Sequence, residues 1–172
     1  MSETQTRYKK PQAVKMLEQA AHRNSCYKHP TLKAEYIPKP KLRDDTANGL
    51  TKCIILLVEL LGGQAERINS TGRVVMQHSR VWRGGKMIDQ ATPKYIPTAG
   101  VKGTADISAT IGGRSVKIEV KVGRDRQREE QKAYQQQIER AGGLYVIARD
   151  LQGFADWYAG QFGGCLELLA TQ

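Results

Sequence analysis

Cysteine, histidine, acidic residues and long hydrophobic runs are all scarce in this 172-residue chain, and each shortage excludes something. The three cysteines, Cys26, Cys53 and Cys165, are odd in number and far apart. That excludes a disulfide framework and leads us to expect free thiols in a reducing, cytoplasmic home. Of the three histidines, His78 stands alone, which leaves a histidine-based catalytic site without support. His22, Cys26 and His29 fall at helical spacing, but Pro30 follows and no fourth ligand is near, so a closed structural zinc site is discounted. The longest apolar run, Cys53 to Leu61, is interrupted by Glu59 and is too short to span a bilayer. The polar, basic opening from Met1 to Gln12 does not read as a secretory leader. We find no internal repeat and no low-complexity tract.

Acids are the telling shortage. Lys and Arg number 27 against 17 Asp and Glu, a net charge of +10. The excess is uneven: residues 1–43 carry ten bases and three acids (+7), and residues 44–172 carry seventeen and fourteen (+3). A basic arm favours a polyanion, because each phosphate contact releases condensed counterions; a solvated tail is the other reading of the same charge. The length suits one domain with a proper core. We therefore expect a basic, partly flexible extension over 1–43 and a folded domain over 44–172. Within the extension, Val14, Leu17, Ala20 and Ala21 suit a short helix over Ala13–Ala21, and Pro30, Pro38 and Pro40 then keep the chain extended.

Elements of the main domain follow from caps and periodicity. Asp45-Thr46 caps a helix from about Ala47 to Leu61, with Leu50, Ile54, Leu57 and Leu61 as its core stripe. A first strand covers Gln64 to Ile68. Residues 70–102 are the least legible, read as a hairpin of Val74–Met76 with Val81–Trp82 and a long loop. Asp106 to Lys121 alternates and reads as two strands about a Gly112-Gly113 turn, since Gly supplies the positive φ of a two-residue hairpin loop. Counting outward pairs Ile111 with Arg114, Ile107 with Ile118 and Asp106 with Glu119. One face is then apolar, while Asp106, Ser108, Thr110, Ser115, Lys117, Glu119 and Lys121 share the other. A helix over about Gln127–Ala141, a strand Leu144–Ala148 and a closing helix near Phe154–Phe162 complete an α/β order. Phe154, Trp157, Tyr158 and Phe162 mark one face of that last helix, suited to a core contact or an oligomer patch.

Two carboxylates opposed across a ladder repel each other at a Cβ separation of roughly 4.5–5.5 Å. A divalent cation converts that cost into chemistry, and a lysine two residues along the strand completes a set suited to phosphodiester hydrolysis. A solvated strand face is the plain alternative for Lys117, Glu119 and Lys121.

Gly103-Thr104-Ala105-Asp106, Ile118-Glu119-Val120-Lys121 and the glutamine-bearing helix after them resemble the PD-(D/E)xK nuclease superfamily. The branch most similar is the VRR-NUC and Holliday-junction-resolvase-like group. The match runs from about Asn48 to Asp150, with Ala105 where the superfamily signature has proline. The resemblance implies a restriction-endonuclease-like core (helix, three strands, helix, strand) followed by a C-terminal helix. It implies a Mg2+-dependent endonuclease, with Mn2+ as substitute, that acts on branched DNA in recombination and repair, as a homodimer if paired cuts are made. It also implies that Asp106, Glu119 and the Val120 carbonyl hold the metal, that Lys121 acts on water or on the transition state, and that Gln131 reaches the site. Where the family has an acid on the first helix this chain departs: Glu59 lies opposite the core stripe, and Asn48 is the alternative oxygen donor. Arg67, Asn69, Arg73 and Lys102 are candidates for phosphate contact, although Asn69-Ser70-Thr71-Gly72 equally reads as a turn. Readings from other classes stay open: a non-catalytic nucleic-acid-binding module on this fold, or a nuclease directed at ends or single strands.

Overall fold

The computed structural model describes residues 8–68, 72–96 and 101–164. The elements run α1 (Gln12–Lys28), a 3-10 turn (Ala34–Tyr36), α2 (Ala47–Leu60), β1 (Gln64–Arg67), β2 (Arg73–Arg83), β3 (Lys86–Ile96), β4 (Ile107–Ile111), β5 (Arg114–Val120), α3 (Glu129–Arg140), β6 (Leu144–Ala148) and α4 (Leu151–Phe162). A four-stranded mixed sheet has the order β1-β4-β5-β6, with β5 and β6 parallel and the other pairs antiparallel. The chain is thus mixed α/β, as expected.

Local chemistry explains the boundaries. The Thr46 hydroxyl accepts from the Gly49 N–H and starts α2, and the Asp150 carboxylate does the same for α4 through Gly153. Gly112 and Gly113 have φ of 55° and 76°, the left-handed pair that a two-residue hairpin requires. The register about them is the one counted from the sequence: Ile111 faces Arg114, Ala109 faces Val116 and Ile107 faces Ile118. Ile107, Ala109, Ile111, Val116 and Ile118 are buried against Leu50, Ile54 and Leu57 of α2 and Phe154 of α4 in one core. The last helix therefore supplies a core contact: Phe154 and Tyr158 are buried and Trp157 and Phe162 pack beside them. On the opposite face lies α3, where Gln131, Tyr134, Gln135 and Ile138 are half-buried and the other side chains are exposed.

Two expectations are corrected. The first is the separable extension over 1–43. The helix there is longer than expected, Gln12–Lys28, and its Ala13, Val14 and Leu17 are fully buried in the same core as α2 and the sheet. Polar ties reinforce it. The Tyr8 hydroxyl donates to Asp44 Oδ1 at 2.7 Å, and Asp44 Oδ2 accepts from the Leu151 N–H at 3.2 Å, joining the chain before α1 to the start of α4. The stripe of Val14, Leu17, Ala20 and Ala21 is the face this helix buries, while its basic residues lie on the rest of its surface.

The second correction concerns residues 73–96. Val74–Met76 and Val81–Trp82 are not partners; they lie on one strand, β2, which pairs along its whole length with β3. The turn is Gly84-Gly85, so counting outward from it gives Arg83 with Lys86, Trp82 with Met87 and Val74 with Tyr95. The signal that located the β4–β5 turn was present here as well. This ribbon is a separate two-stranded sheet, and none of its side chains enters the core.

Candidate active site

Asp106 directly precedes β4, and its carbonyl accepts from the Ile68 N–H at 2.8 Å, which holds the end of β1 beside it. Continuing the β4–β5 register places Asp106 opposite Glu119. The Asp106 side chain turns across the ladder, and its Oδ2 accepts from the Val120 N–H at 2.9 Å. One carboxylate is thereby fixed by the backbone of the residue after the other.

The sequence left a solvated strand face as the alternative for Glu119 and Lys121. Instead Glu119 is 1% exposed and Lys121 5% exposed. Lys121 Nζ lies 3.0 Å from Glu119 Oε1 and 3.2 Å from Asp125 Oδ2. Gln131 Nε2 donates to the same Glu119 Oε1, and the Tyr145 hydroxyl donates to Oε2 at 3.4 Å. The solvated-face alternative fails on this burial. A charged carboxylate taken from water is costly unless paired and bonded, and Glu119 is held by an ammonium, an amide and a phenol.

Electrostatics follow from that packing. Burial pushes the Glu119 carboxyl above the usual carboxylate range; Lys121 only partly pulls it back, and the Asp106 charge adds to the rise. For Lys121 burial works against the charge, but the Glu119 and Asp125 carboxylates outweigh it and hold the ammonium above its ordinary value. Tyr145 is raised by burial and then by the Glu119 charge, so it remains a neutral donor.

Gln131 reaches the pair because α3 begins against the Gly103 backbone. Gly103 has φ of 78°, and a Cβ there would lie 2.3 Å from the Glu130 carbonyl oxygen and 2.8 Å from the Gln131 nitrogen. Only glycine admits so close an approach. The Gln131 side chain also spans the helix start, where its Oε1 accepts from the Arg128 N–H at 2.9 Å. Of the five glutamines near this helix it is the one bonded to Glu119, while Gln135 accepts from Gln127.

Asp106, Glu119, Lys121 and Gln131 are therefore brought together, with Val120 between the two acidic positions. Asn48 is exposed in the first turn of α2, and no hydrogen bond among the described residues joins it to the pair. Arg67, Arg73 and Lys102 are exposed, Arg67 ending β1, Arg73 opening β2 and Lys102 preceding the Gly103–Asp106 turn; Asn69 lies outside the described residues. Sequence reasoning missed Asp125 and Tyr145. The first has a weak signal, four residues past Lys121. The second emerges only once β6 is known to pair in parallel with β5, which aligns Tyr145 with Lys117 and puts it on the Glu119 face. His22 Nε2 lies 3.8 Å from Cys26 Sγ, while His29 caps the end of α1 and is exposed, so these three do not close round a metal.

The donor set suits a hard dication. Asp106 and Glu119 oppose each other across the ladder, Lys121 is shared between Glu119 and Asp125, and the two carboxylates are oxygen donors of the kind such an ion takes. Among the described residues no group of three or more His, Cys, Asp or Glu side chains is assembled for a metal, so main-chain oxygen and water would have to complete the shell. No protein-family model matches the chain, and no curated protein matches it significantly. No helix among the described residues is long and apolar enough to cross a membrane.

Proposed function

We propose that this protein is a metal-dependent deoxyribonuclease with a restriction-endonuclease-like core, selective for branched DNA in the manner of Holliday-junction resolvases. One observation carries the reading: buried Glu119 is held by Lys121 and Gln131 directly across the ladder from Asp106. A bare ion pair would serve stability as well or better if it were apolar. A second carboxylate facing it adds repulsion that its bond to the Val120 N–H offsets in part and a bound cation would turn to use.

Asp106, Glu119 and the Val120 carbonyl would hold Mg2+, with Mn2+ as substitute. When bound, the ion supplies Lewis-acid activation of water and neutralises charge at the phosphorus. The chain's own residues do the rest. Lys121 is held between Glu119 and Asp125 with its ammonium retained, so it can donate to the attacking water or to a phosphoryl oxygen as charge builds in the transition state. Gln131 fixes the Glu119 carboxylate in one orientation. Asp106 is oriented by the Val120 N–H through Oδ2, which leaves Oδ1 without a hydrogen bond among the described residues. Paired cuts on a four-way junction would require a homodimer.

The test is incubation of labelled four-way junction, flap, duplex and single-stranded DNA with Mg2+ or with EDTA. Cleavage of the junction in preference to the others, lost in EDTA, is expected. Binding without cleavage under every metal condition would instead favour a non-catalytic nucleic-acid-binding module.

A further inference from the structure

The β2–β3 ribbon stands apart from the core and exposes side chains on both faces. Strand alternation sorts them. One face carries Val74, Met76, His78, Arg80 and Trp82 opposite Tyr95, Pro93, Ala91, Asp89 and Met87. Its two charges neutralise each other, since Arg80 and Asp89 are cross-strand partners 3.7 Å apart. The other face carries Arg73, Arg83, Lys86 and Lys94 with no acid, interleaved with Gln77, Ser79, Gln90 and Thr92 and with the aliphatic Val75, Val81, Ile88 and Ile96. The whole net charge of the ribbon, +4, thus lies on one side.

That arrangement costs stability as it stands. Arg83 and Lys86 are directly opposed next to the turn, and Arg73 and Lys94 are diagonal neighbours at the root. Like charges in such positions repel, and none of the four is in an ion pair among the described residues. A two-stranded ribbon is marginal in water without further packing. A line of anions relieves the repulsion at both ends together. The two cationic pairs are separated by roughly eight to ten residues, about 30 Å at strand rise, close to one turn of duplex (about 34 Å). The ribbon also lies in the chain between Ile68 and Asp106, whose backbones are hydrogen-bonded beside the acidic pair.

We infer that the Arg73/Arg83/Lys86/Lys94 face of the β2–β3 ribbon is a nucleic-acid-backbone clamp that lies along a DNA arm and leads it to the Asp106–Glu119 site. The inference rests on the nuclease reading for its substrate, but its test does not. A second copy of the chain is the competing occupant, and it would use the Val74/Met76/Trp82 face, whose two charges cancel, because two basic faces repel.

The experiment measures binding of the full chain to a labelled four-way junction and to linear duplex in EDTA, across a salt series. Each lost phosphate contact flattens the slope of log K against log salt by about 0.7–0.9. Replacing Arg73, Arg83, Lys86 and Lys94 by Gln should flatten it by roughly 3, and the Arg83→Gln/Lys86→Gln pair alone by about half as much. A Val74→Ser/Met76→Ser/Trp82→Ser variant should leave the slope unchanged. Circular dichroism of each variant, with the two-residue variant as the milder change, separates loss of contact from loss of fold. An unchanged slope in the folded four-residue variant overturns the clamp. So does a serine variant that shifts from dimer to monomer in sedimentation and loses DNA binding with it. Clamp-dependent binding by a chain that never cleaves would support this inference and sink the nuclease reading; cleavage with an unchanged slope would do the reverse.

Discussion

At the scale of single residues, burial separates two acids that the sequence presented as equals. Asp106 is half-buried and bonded to a backbone N–H, a role its amide can keep, so Asp106→Asn should fold normally and lose most metal-dependent cleavage. Calorimetry should show weakened Mg2+ binding; unchanged affinity together with normal cleavage would remove Asp106 from the site. Glu119 is bonded by Lys121, Gln131 and Tyr145 in the interior. Glu119→Ala strands those donors and should cost about 3–5 kcal/mol of stability, read by chemical denaturation, besides abolishing cleavage. Lys121→Met keeps the buried stem but removes the charge. If that charge acts only in the transition state, the rate should fall on the order of 10²–10³ while DNA affinity changes little. A variant cutting at nearly the normal rate would return Lys121 to a purely structural pairing.

Among the elements, α1 is the one whose role changed most. Leu17 is fully buried between α1 and the rest of the core, so Leu17→Ala should cost about 2–5 kcal/mol in the same denaturation experiment. Truncation at residue 43 should accordingly fail to give a cooperatively folded protein. The Tyr8–Asp44 tie gives this packing a pH signature. Burial, and next the bond to Asp44, push the Tyr8 hydroxyl from 10.0 up to about 12, because ionising it would set a phenolate beside a carboxylate. A group whose pKa is raised by folding stabilises the fold fully below its unfolded pKa and loses that contribution as pH rises through the folded value. The wild type should therefore lose stability between pH 10 and about 12 in excess of Tyr8→Phe, which has no hydroxyl to ionise. Parallel alkaline stability curves for the two proteins would show that the tie contributes nothing.

The described residues divide into a packed α/β body and a separate two-stranded ribbon that takes no part in its core. Since the ribbon adds nothing to the core, replacing 73–96 by a short glycine linker should leave cooperative unfolding and its midpoint nearly unchanged. A large drop in midpoint would mean that the ribbon packs on the body. The body holds the acidic pair, and the ribbon holds the Arg73, Arg83, Lys86 and Lys94 face.

The sequence alone determined everything that follows from short-range rules. The Gly112-Gly113 turn fixed the β4–β5 register, because a one-residue slip would put Ile107 and Ala109 on the opposite face from Val116 and Ile118, and that register opposes Asp106 to Glu119. Capping and the 3.6-residue period placed α2. Gly84-Gly85 held the same information for the ribbon, but its flanks lack clean apolar alternation because neither face is buried in a core. Only tertiary structure settled the environment of the site. Periodicity states which side a residue faces but not what stands there; α3, seated on Gly103, turned a seemingly solvated strand face into a buried one and brought Gln131 onto Glu119. The parallel partner β6 brought Tyr145 to the same carboxylate. The basic N-terminal region joined the core for a related reason: net charge describes the outer face of a helix, whereas burial of Val14 and Leu17 depends on the apolar surface of α2 and the sheet waiting to be covered.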